Sequence, residues 1–151
     1  MATPLTLLMP VVPGQVVPLM EALVQYDDQF HTAINAIGTV HYARIMLFDV
    51  STPNLQSSMP PNPNDSYVLG VITEYDGSFA AYISDFVSQV GTVFDALLPF
   101  VVGGSALVPV ANGVAAFQAF VAANDASQHA PDVGMFEAYD YTVQQILAAG
   151  S

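Results

Sequence analysis

Four polar side chains that could serve a catalytic site fall into two short stretches, His41 with Arg44 and Tyr75 with Asp76. Histidine titrates near neutral pH and can act as a general acid or base. An arginine guanidinium keeps its proton and binds carboxylates. Arg44 is the only lysine or arginine among the 151 residues. If the chain catalyses a reaction, we expect these four residues to be its catalytic groups.

His41 and Arg44 lie in the stretch IGTVHYARIMLFDV, residues 37–50. Its apolar and β-branched composition predicts a central strand covered on both faces. Strict alternation would place His41 and Arg44 on opposite faces, because they are three residues apart. A straight strand therefore cannot direct both side chains to one small ligand.

Arg44 needs an anionic partner in such a setting, since an unpaired buried guanidinium costs several kcal/mol. Asp76 is the best candidate, and the alternatives are Glu74, Asp49 and a ligand carboxylate. His41 has three open roles: a hydrogen-bonded core histidine, an acid–base group, or a haem or metal ligand. Asp27 and His31 are four residues apart on a predicted helix and form either a charge pair or a weak metal site. We expect no bound metal.

The composition excludes several classes of function. Thirteen acidic residues against one basic residue give a net charge of −12, which repels nucleic acid. The chain has no cysteine and no lysine, so thiolate sites and Schiff-base chemistry are unavailable. Only 9% of the residues are charged and 53% are hydrophobic, which indicates that part of the surface lies in an oligomer. The first ten residues lack a basic n-region, so we expect no signal peptide and a cytoplasmic location.

The order of elements predicts the fold class. Period and turn signals indicate strands at residues 3–12, 37–50, 67–75 and 134–139, and helices at residues 16–35, after Ser78, and at 141–149. This order predicts one α+β domain over residues 1–151, with a ferredoxin-like split βαβ arrangement and a four-stranded antiparallel sheet. Both helices would cover one face of the sheet. The other face is apolar, so we expect a second copy to cover it.

Residues 96–124 form an uncharged insert before the last strand. Prolines and paired glycines break it into short pieces, so we expect extra helices and no membrane span. The insert is predicted to be a mobile lid hinged at its glycines, with permanent core or an oligomer contact as alternatives.

Two motifs resemble those of a known superfamily. TVHYARIMLFD and TEYDGSFAAYISDF are similar to "VHFAR" and "YDG" motifs in uncharacterised bacterial proteins of the dimeric α+β barrel superfamily. The resemblance covers roughly residues 5–86, and FEAYDYTVQQI is similar to the closing strand and helix. It implies the barrel fold and a distant relation to cofactor-free monooxygenases of antibiotic biosynthesis and to haem proteins such as dye-decolorising peroxidases.

The leading functional hypothesis is a homodimer, or higher homo-oligomer, that binds a small hydrophobic molecule in an apolar cavity. It would act without a cofactor, as a monooxygenase or cyclase. We expect the substrate to contact five apolar and aromatic side chains: Tyr42, Met46, Phe48, Tyr82 and Phe86. The alternatives are a haem-dependent peroxidase-like protein and a non-catalytic, self-assembling structural protein.

Overall fold

The computed structural model describes residues 2–129 and 136–150. Three strands form an antiparallel sheet in the order β1-β3-β2. They are β1 (Thr3–Pro10), β2 (Val40–Asp49) and β3 (Tyr67–Tyr75). β3 is therefore the central strand of the described sheet, and the prediction that β2 is central is wrong.

Two long helices pack against one face of this sheet, α1 (Val16–Ile37) and α2 (Phe79–Leu97). Gly38, at a φ of 69°, ends α1 in a left-handed conformation that glycine adopts without strain. Ser78 caps α2 by accepting a hydrogen bond from the backbone N–H of Ala81. The start of α2 after Ser78 agrees with the sequence prediction.

The face of the sheet under the helices is the main core. Leu5, Leu7 and Met9 of β1 and Leu69, Val71 and Thr73 of β3 are buried there. The opposite face carries a mixture of half-buried and exposed side chains, which we call the open face: Pro4, Thr6, Leu8, Tyr42, Arg44, Met46, Phe48, Val68, Ile72 and Glu74. In the described part of the chain, no helix lies over the middle of this face.

The uncharged insert contributes to the core. It forms three short 3₁₀ helices (Leu98–Phe100, Gly104–Leu107 and Val110–Asn112) followed by α3 (Val114–Asn124). Leu98, Val110, Phe117 and Val121 are each at most 1% exposed. Phe117 packs edge-on against Phe94 of α2, with ring centroids 5.9 Å apart. The insert is therefore packed into the core in this structure, which agrees with the alternative interpretation, and the mobility of a lid stays a prediction.

The chain ends with α4 (Ala126–His129) and α5 (Val143–Ala149). α5 begins with a capping box formed by Thr142 and Gln145. The predicted last strand is not observed: residues 136–139 form no strand, and residues 134 and 135 lie outside the described part. Within the described residues, no helix is long and apolar enough to cross a membrane.

Candidate functional site

A β-bulge near the start of β2 decides where His41 points. Val40 pairs with Tyr75 and Tyr42 pairs with Glu74, so His41 is an extra residue without its own partner on β3. The bulge breaks the alternation on which the sequence argument rested. As a result, His41 and Tyr42 line the same pocket, although they are adjacent along the strand.

The imidazole of His41 is held by Asp76, which follows β3 directly. His41 Nε2 lies 2.9 Å from Asp76 Oδ1, and the two side chains are only 11% and 14% exposed. The other carboxylate oxygen of Asp76 accepts a hydrogen bond of 2.7 Å from the backbone N–H of Val143. The sequence predicted both residues as catalytic, but it did not predict that they contact each other.

The pKa of Asp76 is lowered by these contacts. Burial alone would raise the pKa, but the hydrogen bonds from His41 and from the Val143 amide outweigh that effect. Asp76 is therefore ionised at neutral pH. An ionised Asp76 accepts a hydrogen bond from Nε2–H, which assigns the hydrogen of a neutral His41 to Nε2 and leaves Nδ1 as the acceptor.

A pocket of about 320 Å³ lies beside this pair at one end of the sheet. We call it the end pocket. Its lining combines aromatic and aliphatic side chains with carboxylates: Ala2, His41, Tyr42, Glu74, Phe136, Glu137, Ala138, Tyr139 and Ile146. Glu137 is held at the start of β1, because its Oε1 accepts a hydrogen bond of 3.1 Å from the backbone N–H of Ala2, the residue before the strand.

Sequence reasoning missed the part of this pocket that follows the insert. Phe136, Glu137 and Tyr139 had been assigned to a closing strand, where alternate side chains would have been buried. The capping box of α5 was the available signal for the start of that helix. No local pattern indicates that the helix packs over Asp76, because this contact joins residues 67 positions apart.

Arg44 does not pair with Asp76, so that prediction is wrong. Its side chain is exposed, and it forms no ion pair within the described residues. The exposure follows from the position of β2 at the edge of the sheet, where a long side chain can reach water. Arg44 lines a groove of about 310 Å³ with Asp27 and His31, whose own contact of 3.5 Å is largely solvent-exposed.

The other predicted site residues divide among three places. Tyr42 lines the end pocket, whereas Met46 and Phe48 lie further along the open face. Tyr75 of β3 and the α2 residues Tyr82 and Phe86 are buried between α2 and the opposite face of the sheet. The space lined by Tyr82 and Phe86 is a void of only about 10 Å³, which holds at most about one water molecule. Within the described residues of one chain, the predicted site residues therefore do not line one common cavity.

Metal and haem ligation have little support from these side chains. The described residues contain no group of three or more histidines and carboxylates that could hold a metal ion. For haem, no lysine or arginine among the described side chains lines the end pocket, and Glu74 and Glu137 would repel the propionates there. The residues around His41 therefore do not fit haem.

Comparison of the chain with protein-family models, with curated proteins and with solved structures finds no match.

Proposed function

We propose that the chain binds a small, uncharged, largely apolar molecule in the end pocket and that His41 Nδ1 accepts a proton from it. The observation that carries this proposal is the partly buried His41–Asp76 pair beside a pocket of about 320 Å³. A reaction of this kind needs no cofactor. The resulting anion could cyclise, or it could react with O₂ as co-reactant.

The proton-transfer role follows from the way the imidazole is held. A general base needs a fixed ring orientation and a lone pair that points to the substrate. The Asp76 carboxylate provides the first by binding Nε2, and it also stabilises the imidazolium that forms when Nδ1 accepts a proton. Asp76 is in turn fixed by the Val143 amide, so the base rests on a carboxylate that cannot rotate freely.

The lining of the end pocket limits the class of ligand. Glu74 and Glu137 disfavour a carboxylate or a phosphate, and Arg44 lines a different groove. The remaining lining groups are mainly aromatic and aliphatic, which is the usual make-up of a site for an apolar molecule. This supports a neutral ligand over an anionic one.

The proposal includes a second copy of the chain on the open face. Leu8, Met46, Phe48, Val68 and Ile72 form an apolar surface there, and a stable dimer buries about 800 Å² per partner. A ferredoxin-like domain in a dimeric barrel would bring the two open faces together and enclose the end pocket. The strand order β1-β3-β2 and the two helices on one face support that fold, although residues 136–139 do not form its fourth strand.

The binding test uses Nile red, a neutral apolar dye, as the probe. Ala138 lines the end pocket, whereas Ala149 lies on the exposed end of α5. Ala138→Trp should fill the pocket and weaken dye binding at least about tenfold, equivalent to about 1.4 kcal/mol. Ala149→Trp is the matched control and should leave binding unchanged. Equal binding by both variants would place the ligand elsewhere and refute the proposal.

The proton-acceptor role is tested by ¹⁵N NMR of the histidines. We expect neutral His41 to carry its hydrogen on Nε2, and Asp76→Ala should remove this tautomer preference. A hydrogen on Nδ1 in the wild type would contradict the proposed base.

A further inference from the structure

The outer edge of β2 presents free backbone groups at alternate residues. Asp49 donates its backbone N–H to Leu55 and not to β3, and the Tyr67 carbonyl opposite it accepts from Val11 on the β1 side. The backbone N–H and C=O of Asp49 therefore point away from β3. Hydrogen bonding alternates along an antiparallel pair, so Leu47, Ile45 and Ala43 also face outward. Among the described residues, no backbone or side-chain group bonds to these three.

The two edge strands of the sheet differ in how their outer backbone groups are covered. The outer edge of β1 is covered, because Asp125 Oδ1 accepts from the Thr6 N–H at 2.9 Å and the Ser127 hydroxyl oxygen lies 3.2 Å from the Pro4 carbonyl oxygen. β2 has no such cover along its middle. Two grooves of about 340 and 310 Å³ lie beside it, between the strand and α1. An uncovered edge of this length is a template for another strand.

We propose that β2 pairs with β2 of a second copy, antiparallel, about a two-fold axis at Ile45. In this register Ala43 lies opposite Leu47 of the second copy, and Ile45 lies opposite itself. Ala43, Ile45 and Leu47 then each belong to a hydrogen-bonded pair, which gives about six bonds between the chains. Registers displaced by two residues leave some of these groups unpaired, so the symmetric register is preferred. Typical protein interfaces contain about ten hydrogen bonds.

Charge favours a second copy as the occupant at this edge. Residues 40–48 contain no carboxylate and include the only cation, although the chain as a whole carries −12. Arg44 lies opposite Met46 of the second copy, so the two guanidinium groups do not face each other. The groove beside the axis carries one carboxylate, Asp27, and one guanidinium, Arg44, so their charges cancel. Elsewhere, acidic surfaces would repel each other.

Side chains close to the proposed axis also suit self-association. Val24 of α1 is 78% exposed and lines the same groove as Ile45. A two-fold axis at Ile45 would bring Val24 of one chain towards Val24 of the second copy. Each exposed valine would then gain an apolar partner. The edge of β2 is a different surface from the open face. If their two-fold axes are perpendicular and intersect, the two contacts together produce a closed assembly of four chains.

The test is amide exchange measured residue by residue on the full chain. The amides of Tyr42, Arg44 and Met46 point to β3 and are the internal controls, since they should exchange slowly in any state. If the edge is paired, the amides of Ala43, Ile45 and Leu47 should be as protected as these controls. If those three exchange about a hundredfold faster or more, as a free edge would, the inference is wrong.

Ala43→Pro provides a second test. It removes an outward N–H at an edge strand, where proline is tolerated, and Ala43→Ser is the control that keeps the N–H. Native mass spectrometry should show about 64 kDa for the wild type, four times the 16.0 kDa of one chain, and about 32 kDa for the proline variant. Met46→Asp on the open face should also give about 32 kDa, and the double variant a monomer. A 32 kDa wild type with free edge amides would overturn the edge pairing and leave the open-face dimer standing.

Discussion

The phenol rings of Tyr75 and Tyr82 stack 4.0 Å apart, with 9° between their planes. Tyr75 ends β3 and Tyr82 lies in the first turn of α2, so the stack joins strand to helix across the intervening turn. Burial raises the pKa of Tyr82 to about 12, with a smaller contribution from Tyr75 and an opposing one from its bond to Thr73. Burial, followed by the charge of Asp125, also raises the pKa of Tyr75. Both phenols are uncharged packing groups at neutral pH.

Tyr82→Phe should lower the free energy of unfolding by about 1 to 2 kcal/mol, because the buried Thr73 hydroxyl loses its partner at 3.1 Å. Adding Thr73→Val removes the unpaired hydroxyl and should recover part of the loss. Urea unfolding of the two single variants and the double variant gives the coupling. Strictly additive losses would show that this bond does not contribute.

The contact between Asp76 and α5 should depend on pH. Since folding lowers the pKa of Asp76 below its ordinary value of 3.8, the stabilisation is complete above about pH 4. It is lost as the pH falls through the folded-state pKa. The Val143 amide should therefore be protected from exchange at pH 6 and exposed at strongly acid pH. Asp76→Asn should remove this pH dependence, and its persistence in that variant would contradict the assignment.

Arg44→Gln should change the free energy of unfolding by about 0.5 kcal/mol or less, because the side chain is exposed and unpaired within the described residues. Combining it with Asp76→Asn should give additive losses in chemical unfolding. A coupling energy above about 1 kcal/mol would restore the ion pair predicted from the sequence.

Asp125→Ala should be among the more destabilising substitutions, costing about 2 to 4 kcal/mol. Asp125 is 2% exposed, and its Oδ1 accepts from the Thr6 N–H, the Ser127 N–H and the Ser127 hydroxyl. Ser127→Ala removes only one of these donors and should cost about 1 kcal/mol. Equal losses in thermal unfolding would mean that Asp125 does not hold the edge of β1.

Phe117→Ala should cost about 3 to 5 kcal/mol, because it opens a cavity among Phe86, Phe94 and neighbouring aliphatic residues. Phe117→Leu retains most of the volume and should cost less. Amides of residues 117–121 should exchange as slowly as those of β3. Rapid exchange there, with a small loss of stability, would support the lid interpretation after all.

Local patterns predicted most elements well. Residues 67–75 were predicted as a strand and match β3 at both ends, and the predicted helix at residues 16–35 differs from α1 only at its end. Each of these stretches has a clear period and a turn residue at its boundary. The insert lacked a period, and its burial depends on contacts with distant parts of the chain.

The candidate site was predicted as residues but not as an arrangement. His41 and Asp76 were both chosen, yet Arg44 was given the carboxylate that His41 binds. The prediction assumed that β2 is unbroken and that it lies in the centre of the sheet. Both assumptions are wrong. A one-residue bulge and an edge position are properties of strand pairing, which only tertiary contacts determine.

Because His41 is the extra residue of the bulge, it can be lost without a change in the pairing of β2 with β3. Loss of the single codon for His41 would leave Val40 opposite Tyr75 and Tyr42 opposite Glu74, so the rest of the sheet would keep its register. Such a descendant would fold around the same core without an imidazole beside Asp76. A single-codon deletion could therefore remove the proposed proton acceptor and leave the sheet register unchanged.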